Sequence, residues 1–216
     1  MKDIYIFGAG GFAKEIYYTI KNTGEYIVKG FINKNIVQDV IVDNITIPVF
    51  SEDQIEQLCL EYQINAAIAI ANNSIVEKVF HKFEGKCLFP NIIDPSIVSY
   101  NKITMREGNI ITRNNFFSEN VMLGSFNRIN MCCLIGHDVT IGNFNIINPS
   151  CKISGNVHIG DFNMLGVNSS ILQGISLGNN NTIGGGSFLA SNIDSNNNLL
   201  GVPARKIPKP MCTLNS

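Results

Sequence analysis

The chain has 216 residues, of which 45% are hydrophobic and only 15% charged, and its formal net charge is −1. That length holds one large or two modest domains. The lysines and arginines are scattered, leaving no nucleic-acid footprint. No apolar run reaches the roughly 18 residues of a membrane span, so neither nucleic acid nor membrane is expected as a partner.

The first element begins at once, with no signal peptide ahead of it, and a cytoplasmic protein is expected. Six cysteines (Cys59, Cys87, Cys132, Cys133, Cys151 and Cys212) form no CxxC pair and no zinc-spaced cluster with histidine. Buried, reduced thiols and no metal are expected.

Residues 3–7 read as a buried strand, Lys14 to about Asn22 as a helix, and Tyr26 to Ile32 as a second strand. Between the first two lies Gly8-Ala-Gly10-Gly11-Phe12-Ala13, a G-x-G-x-x-A turn. Such a turn brings backbone N–H groups close to an anion at a helix N-terminus. A full dinucleotide site also needs an acidic residue about 20 positions on, to hold a ribose diol. Here that residue is Asn33, which argues against NAD. The domain, about 85 residues, is also too short for a full two-half dinucleotide fold, and half a fold holds one nucleotide; the other reading is a tight turn with no ligand. Alternation continues with a strand at Ile45–Phe50, a helix at Glu52–Tyr62, a strand at Ala66–Ile70 and a helix at Ser74–Lys82. Residues 1–88 are therefore expected to be an α/β nucleotide-binding domain, half of a Rossmann-like fold.

From Leu123 to Leu189 every sixth residue is Leu or Ile, twelve times in succession, and a weaker register reaches back to Ile93. Neither a helix nor an ordinary strand has that period; a parallel β-helix does. Seventeen hexads are expected from Ile93 to Asp194, three to a triangular coil, so that residue n lies under n+18. Three ladders support the coil of 18. Asn109, Asn127, Asn145, Asn163 and Asn181 form the first. Val121, Val139, Val157, Ile175 and Ile193 form the second. Asn115, Cys133, Cys151, Ser169 and Ser187 form the third. The expected division is a β-helix over residues 89–200 and a tail over 201–216.

The same arithmetic places Gly155 over His137. A histidine has the right unperturbed pKa for a general base, and a bare glycine N–H above it can meet a developing oxyanion. His81 and His158 read as surface residues. Cys132 and Cys133 do not read as nucleophiles, so direct attack is expected and not an acyl-enzyme.

Several motifs together carry a family resemblance. They are Gly8-Ala-Gly-Gly11, Ala69-Ile-Ala-Asn72-Asn73, Ile135-Gly-His137-Asp138-Val-Thr-Ile-Gly, Ser154-Gly155-Asn156-Val-His-Ile-Gly160, Leu165-Gly166-Val167-Asn-Ser169, Ile183-Gly184-Gly185-Gly186 and Gly201-Val-Pro-Ala-Arg205. With these the chain resembles the hexapeptide-repeat sugar acetyltransferases. The likeness is greatest to those that N-acetylate a nucleotide-linked 4-amino-4,6-dideoxy sugar, with sialic acid O-acetyltransferases as relatives.

The resemblance implies a left-handed coil, a homotrimer with active sites between subunits, and acetyl-CoA as co-substrate. It implies His137 as base, oriented by Asp138 where the family usually has Glu. It implies Gly155 beside the thioester. It implies a UDP- or dTDP-linked sugar held by Gly8, Gly10, Gly11, Phe12, Asn33, Asn72 and Asn73. It implies CoA contacts at Gly155, Gly166, Val167, Gly184, Gly185, Gly186 and Arg205. Two other readings remain: sugar O-acetylation by the same machinery, and a non-catalytic trimeric scaffold.

Overall fold

A computed structural model describes residues 1–34 and 38–208. The N-terminal sheet consists of β1 (Lys2–Phe7), β2 (Tyr26–Asn33), β5 (Val49–Ser51), β6 (Ile64–Ile68) and β7 (Cys87–Leu88), all parallel, in the order β5-β2-β1-β6-β7. Helices α1 (Gly11–Thr23), α2 (Glu52–Glu61) and α3 (Asn73–Phe83) connect them.

Each helix has a sequence reason for its ends. Gly24 takes the left-handed conformation that stops α1. Ser51 and Gln54 form a reciprocal capping box on α2. The Asn72 side chain accepts from the Ile75 N–H to start α3.

The strand expected at Ile45–Phe50 is two strands. Pro48 has no N–H to give to a ladder, and it divides the run. β4 (Ile45–Ile47) turns back on β3 (Val40–Val42) through Asp43 and Asn44, both at positive φ, while β5 joins β2.

The remainder is a three-sided parallel β-helix whose strands are two residues long. Face 1 runs from Ile92–Ile93 to Thr182–Ile183. Face 2 runs from Val98–Ser99 to Phe188–Leu189, and face 3 from Thr104–Met105 to Ser176–Leu177. In each strand the second residue points inward. Ile129, Ile147, Leu165 and Ile183 are fully buried, and the other Leu and Ile of the six-residue column join the same core.

All three ladders lie in this interior. The Asn127 backbone N–H and its Nδ2 both donate to Asn109 Oδ1 at 3.0 Å, and Asn145 repeats the pattern on Asn127. Each side-chain oxygen accepts from the next coil along the axis, where a corner has no sheet partner to offer; Asn163 follows with its backbone N–H alone, its Nδ2 finding no partner among the described residues.

The repeat also fixes a backbone feature. Every sixth residue from Gly108 to Gly186 has positive φ. Asn fills this corner position at 114, 120, 156, 168 and 180, which explains much of the Asn excess, since Asn tolerates the left-handed region better than most residues.

One expectation of the repeat fails at its end. The last coil closes in 16 residues. The Asn column continues at Asn197 on Asn181, and Ile193 bridges Leu177 and not Ile175. Two residues fewer turn the chain into a hairpin, Asn198–Gly201 with Ala204–Ile207, which pairs with Thr182–Ile183 on face 1. Residues 209–216 of the expected tail, with Cys212, lie outside the described residues. Cys132 is exposed at a corner and Cys59 half-buried, so not every thiol is interior as expected.

The N-terminal domain sits on face 1 and on the corner joining faces 3 and 1. Ile92 and Ile110 of face 1 share a core with Ile16 and Ile20 of α1. Phe80 of α3 packs on Phe126, which stacks on Phe144 and that on Phe162. Asn22 Nδ2 donates to the buried Asp94 at 3.0 Å.

Candidate active site

The Gly turn lies at the C-terminal edge of the parallel sheet. The strand order reverses beside β1, so the ends of β1 and β6 bound the crevice where open α/β sheets take ligands. Gly8 has φ +107°, and a Cβ there would stand 2.6 Å from the Ala69 carbonyl oxygen, so the turn and the β6–α3 loop are in contact. Gly10 and Gly11 face open space. Gly10 caps α1 without any side-chain acceptor. The first N–H groups of α1, from Gly11 and Phe12, are thus available to an anion. Asn33 ends β2 next to this turn, where the Gly8 N–H donates to the Ile32 carbonyl at 2.7 Å. Asn72 and Asn73 close the other side. These residues are brought together as one edge.

His137 stands at the corner joining faces 2 and 3. Its Nδ1 lies 2.8 Å from Asp138 Oδ2, and both side chains are about half exposed. Asn120, one coil below Asp138, donates from Nδ2 to Asp138 Oδ1 at 2.7 Å. The Asn120 amide, followed by the His137 imidazole, holds the Asp138 carboxyl below the usual carboxylate range. An ionised carboxylate on Nδ1 selects the tautomer with its proton there and leaves Nε2 as the acceptor. Nε2 faces Gly155, where any Cβ would collide with it. The Gly155 N–H donates to no acceptor among the described residues, whereas the next residue, Asn156, donates to the His137 carbonyl at 2.8 Å. An imidazole, the carboxylate that orients it and a free backbone donor therefore meet at one corner. A shallow groove beside it is lined by Leu134, Gly136, His137, Lys152 and Ser154.

Gly166 and Val167 occupy the corner joining faces 1 and 2, directly under Gly184–Gly186. The Gly186 N–H donates to the Val167 carbonyl at 2.8 Å. Arg205 is exposed on the terminal hairpin opposite Leu200, whose side chain covers Gly184. This group is separated from Gly155 by the width of face 2. The glycine-turn edge belongs to the domain that rests on face 1, the face opposite the His137 corner.

Sequence reasoning missed two residues here. Asn120 was within reach of the repeat, since 138 minus 18 is 120. Arg128, on face 1, is only 2% exposed. Its Nη2 donates to Asn73 Oδ1 at 2.7 Å, and burial draws its guanidinium down to about 9. Cys133 is fully buried, and its contact with Cys151 together with burial pushes the thiol up, which suits a ladder residue and not a nucleophile.

Residues 3–83 match the family model described as the PglD N-terminal domain. Among curated proteins, none matches the sequence. Solved structures match over nearly the whole chain. A variant of perosamine N-acetyltransferase from Caulobacter crescentus, in complex with CoA and GDP-perosamine, is 22% identical over 97% of this chain and 98% of its own, with a TM-score of 0.89. The acetyltransferase domain of PglB from Neisseria gonorrhoeae, in complex with acetyl coenzyme A, is 20% identical over 95% and 99%, with a TM-score of 0.86. WeeI from Acinetobacter baumannii is 23% identical over 96% and 100%, with a TM-score of 0.84. The two-part architecture, an α/β domain followed by a parallel β-helix, is shared with all three.

Proposed function

We propose that this chain is an N-acetyltransferase that moves the acetyl group of acetyl-CoA to the amine of a nucleotide-linked amino sugar, a 4-amino-4,6-dideoxyhexose. The observation that carries the reading is the 2–3 corner: an ionised Asp138 on Nδ1 of His137, with Nε2 set against the bare backbone of Gly155. The same fold in an enzyme crystallised with CoA and GDP-perosamine supports it and adds GDP to UDP and dTDP as carriers to test.

In this reading His137 Nε2 takes the proton from the attacking amine. The sugar nitrogen bonds to the acetyl carbon, and the Gly155 N–H donates to the oxyanion that develops there. The C–S bond breaks, and His137 returns the proton to the departing thiolate. The corner amides around Gly166, Val167 and Gly184–Gly186 leave room along face 2 for the thin pantetheine chain of CoA. Arg205 on the neighbouring hairpin supplies a cation for its phosphates. The α1 N-terminus, with Asn33, Asn72 and Asn73, holds the nucleotide half of the sugar substrate. The His137 corner and the nucleotide edge lie on opposite sides of one chain, so the complete site draws on two copies, as a cyclic trimer provides.

The test is thiol release from acetyl-CoA in the presence of UDP-, dTDP- and GDP-linked 4-amino sugars. Turnover on one of them, lost in His137→Ala, is the expected result. Turnover on free sialic acid with none on the nucleotide sugars replaces the reading with O-acetylation. No turnover in either arm leaves the scaffold reading.

A further inference from the structure

Arg128 opens the strand Arg128–Ile129 on face 1. Ile129 points into the solenoid core, so Arg128 points outward, under the N-terminal domain. Its column neighbours one coil below and above, Ile110 and Ile146, are buried apolar side chains. Among the described residues the guanidinium between them makes one hydrogen bond, from Nη2 to Asn73 Oδ1. Its Nε and Nη1 are buried and reach no acceptor among the described residues. A buried cation without a counter-charge destabilises a fold, and an apolar side chain of similar volume at such a place is neutral or better. Folding alone therefore gives no reason for arginine here.

The one contact it makes points to a ligand. Asn73 begins α3 at the end of the loop that touches Gly8, and Gly8 belongs to the turn that leads into the uncapped start of α1. The uncapped helix N-terminus and the guanidinium, through Asn73, thus meet the same edge of the α/β domain. The helix end has no side-chain acceptor and the guanidinium keeps two donor atoms, Nε and Nη1, without one, and both suit a phosphate.

Resting on the nucleotide-sugar reading above, we propose that Arg128 is a specificity-determining residue for the anionic diphosphate of the sugar substrate, reaching it from the solenoid across the domain junction through the Asn73 position. The diphosphate then bridges the two domains. Its charge supplies the partner that Arg128 lacks, and arginine, not the α/β domain alone, sets the preference for a doubly phosphorylated ligand over a free sugar.

The test uses the full chain and calorimetric titration of GDP, UDP, dTDP and inorganic pyrophosphate into the wild type, Arg128→Met and Arg128→Gln, with CoA as control. In Arg128→Met the expected result is an unfolding midpoint equal to or above that of the wild type. Affinity for the preferred diphosphate falls at least tenfold and CoA affinity is unchanged. Arg128→Gln, which retains a donor for Asn73, is read in the same way should the Met variant fail to fold. Nucleoside diphosphate affinities within twofold of wild type in the folded variants overturn the proposal and leave the nucleotide-sugar reading standing. Arg128-dependent binding of pyrophosphate with no nucleoside diphosphate bound supports the anion site and overturns the nucleotide-sugar reading. No binding of any of the four to the wild type overturns both.

Discussion

Asp138 holds its carboxylate on His137 from a left-handed backbone position, φ 56°, that Asp tolerates and β-branched residues do not. Asp138→Asn keeps the backbone and one oxygen but removes the charge that selects the Nδ1–H tautomer. In the proposed reaction turnover is expected to fall about tenfold or more, with both KM values unchanged. The unfolding midpoint is expected to hold, because both side chains are half exposed. Steady-state kinetics beside a thermal melt checks both, and a change confined to KM would assign Asp138 to binding. Gly155→Ala approaches the same atom from above. Its Cβ would occupy the space against His137 Nε2, so loss of turnover as deep as in His137→Ala is expected, on the order of 10²–10⁴. Retained activity in a folded Gly155→Ala protein would remove His137 Nε2 from the chemistry.

At the scale of the element, corner and column compete for each side chain. Phe144 has φ 55°, costly for an aromatic residue, yet it stacks between Phe126 at 5.4 Å and Phe162 at 5.0 Å. Phe144→Ala loses the stacking and keeps the strain, whereas Phe144→Gly loses the stacking and relieves it. The glycine variant is therefore expected to be the more stable of the two by about 1 kcal/mol, the reverse of the order seen in helices and strands. Urea denaturation of both variants measures the difference, and equal midpoints would mean the corner is not strained. Within the Asn column, Asn145→Leu strands the Asn163 N–H in a dry interior, while the Asn127 side-chain oxygen loses the amide donor and keeps the backbone N–H of residue 145. A loss of about 1–3 kcal/mol is expected in the same measurement.

These elements also show what a sequence can reveal. The Leu and Ile column, the Asn ladder and the meeting of His137 with Gly155 were legible because one translation along the axis relates them. Asn120 and the Phe126–Phe144–Phe162 stack obey the same translation and were open to the same arithmetic. Arg128 was not legible, because its partner Asn73 lies 55 residues away in a domain outside the repeat. The 16-residue last coil was hidden for the related reason that a periodic pattern does not announce where it stops.

At the scale of the whole molecule, the α/β domain covers face 1 while His137 lies on the corner between faces 2 and 3, so in the proposed reading a second copy completes the site. That arrangement predicts complementation between two inactive proteins. His137→Ala lacks the base and keeps the nucleotide edge. Gly11→Asp keeps the base and sets a carboxylate at the open N-terminus of α1. The acid suits the helix end and so spares the fold, but repels a diphosphate. In a cyclic trimer assembled at random from equal amounts of the two, a site is intact when the edge comes from one variant and the corner from the other. That combination occurs in about a quarter of sites, so activity on the order of a quarter of wild type is expected after co-refolding. Each variant alone remains inactive, and simple mixing without subunit exchange restores nothing. If co-refolded material of proven mixed composition stays inactive, the edge and the corner that react together belong to the same chain, and the domain must then leave face 1 to reach His137.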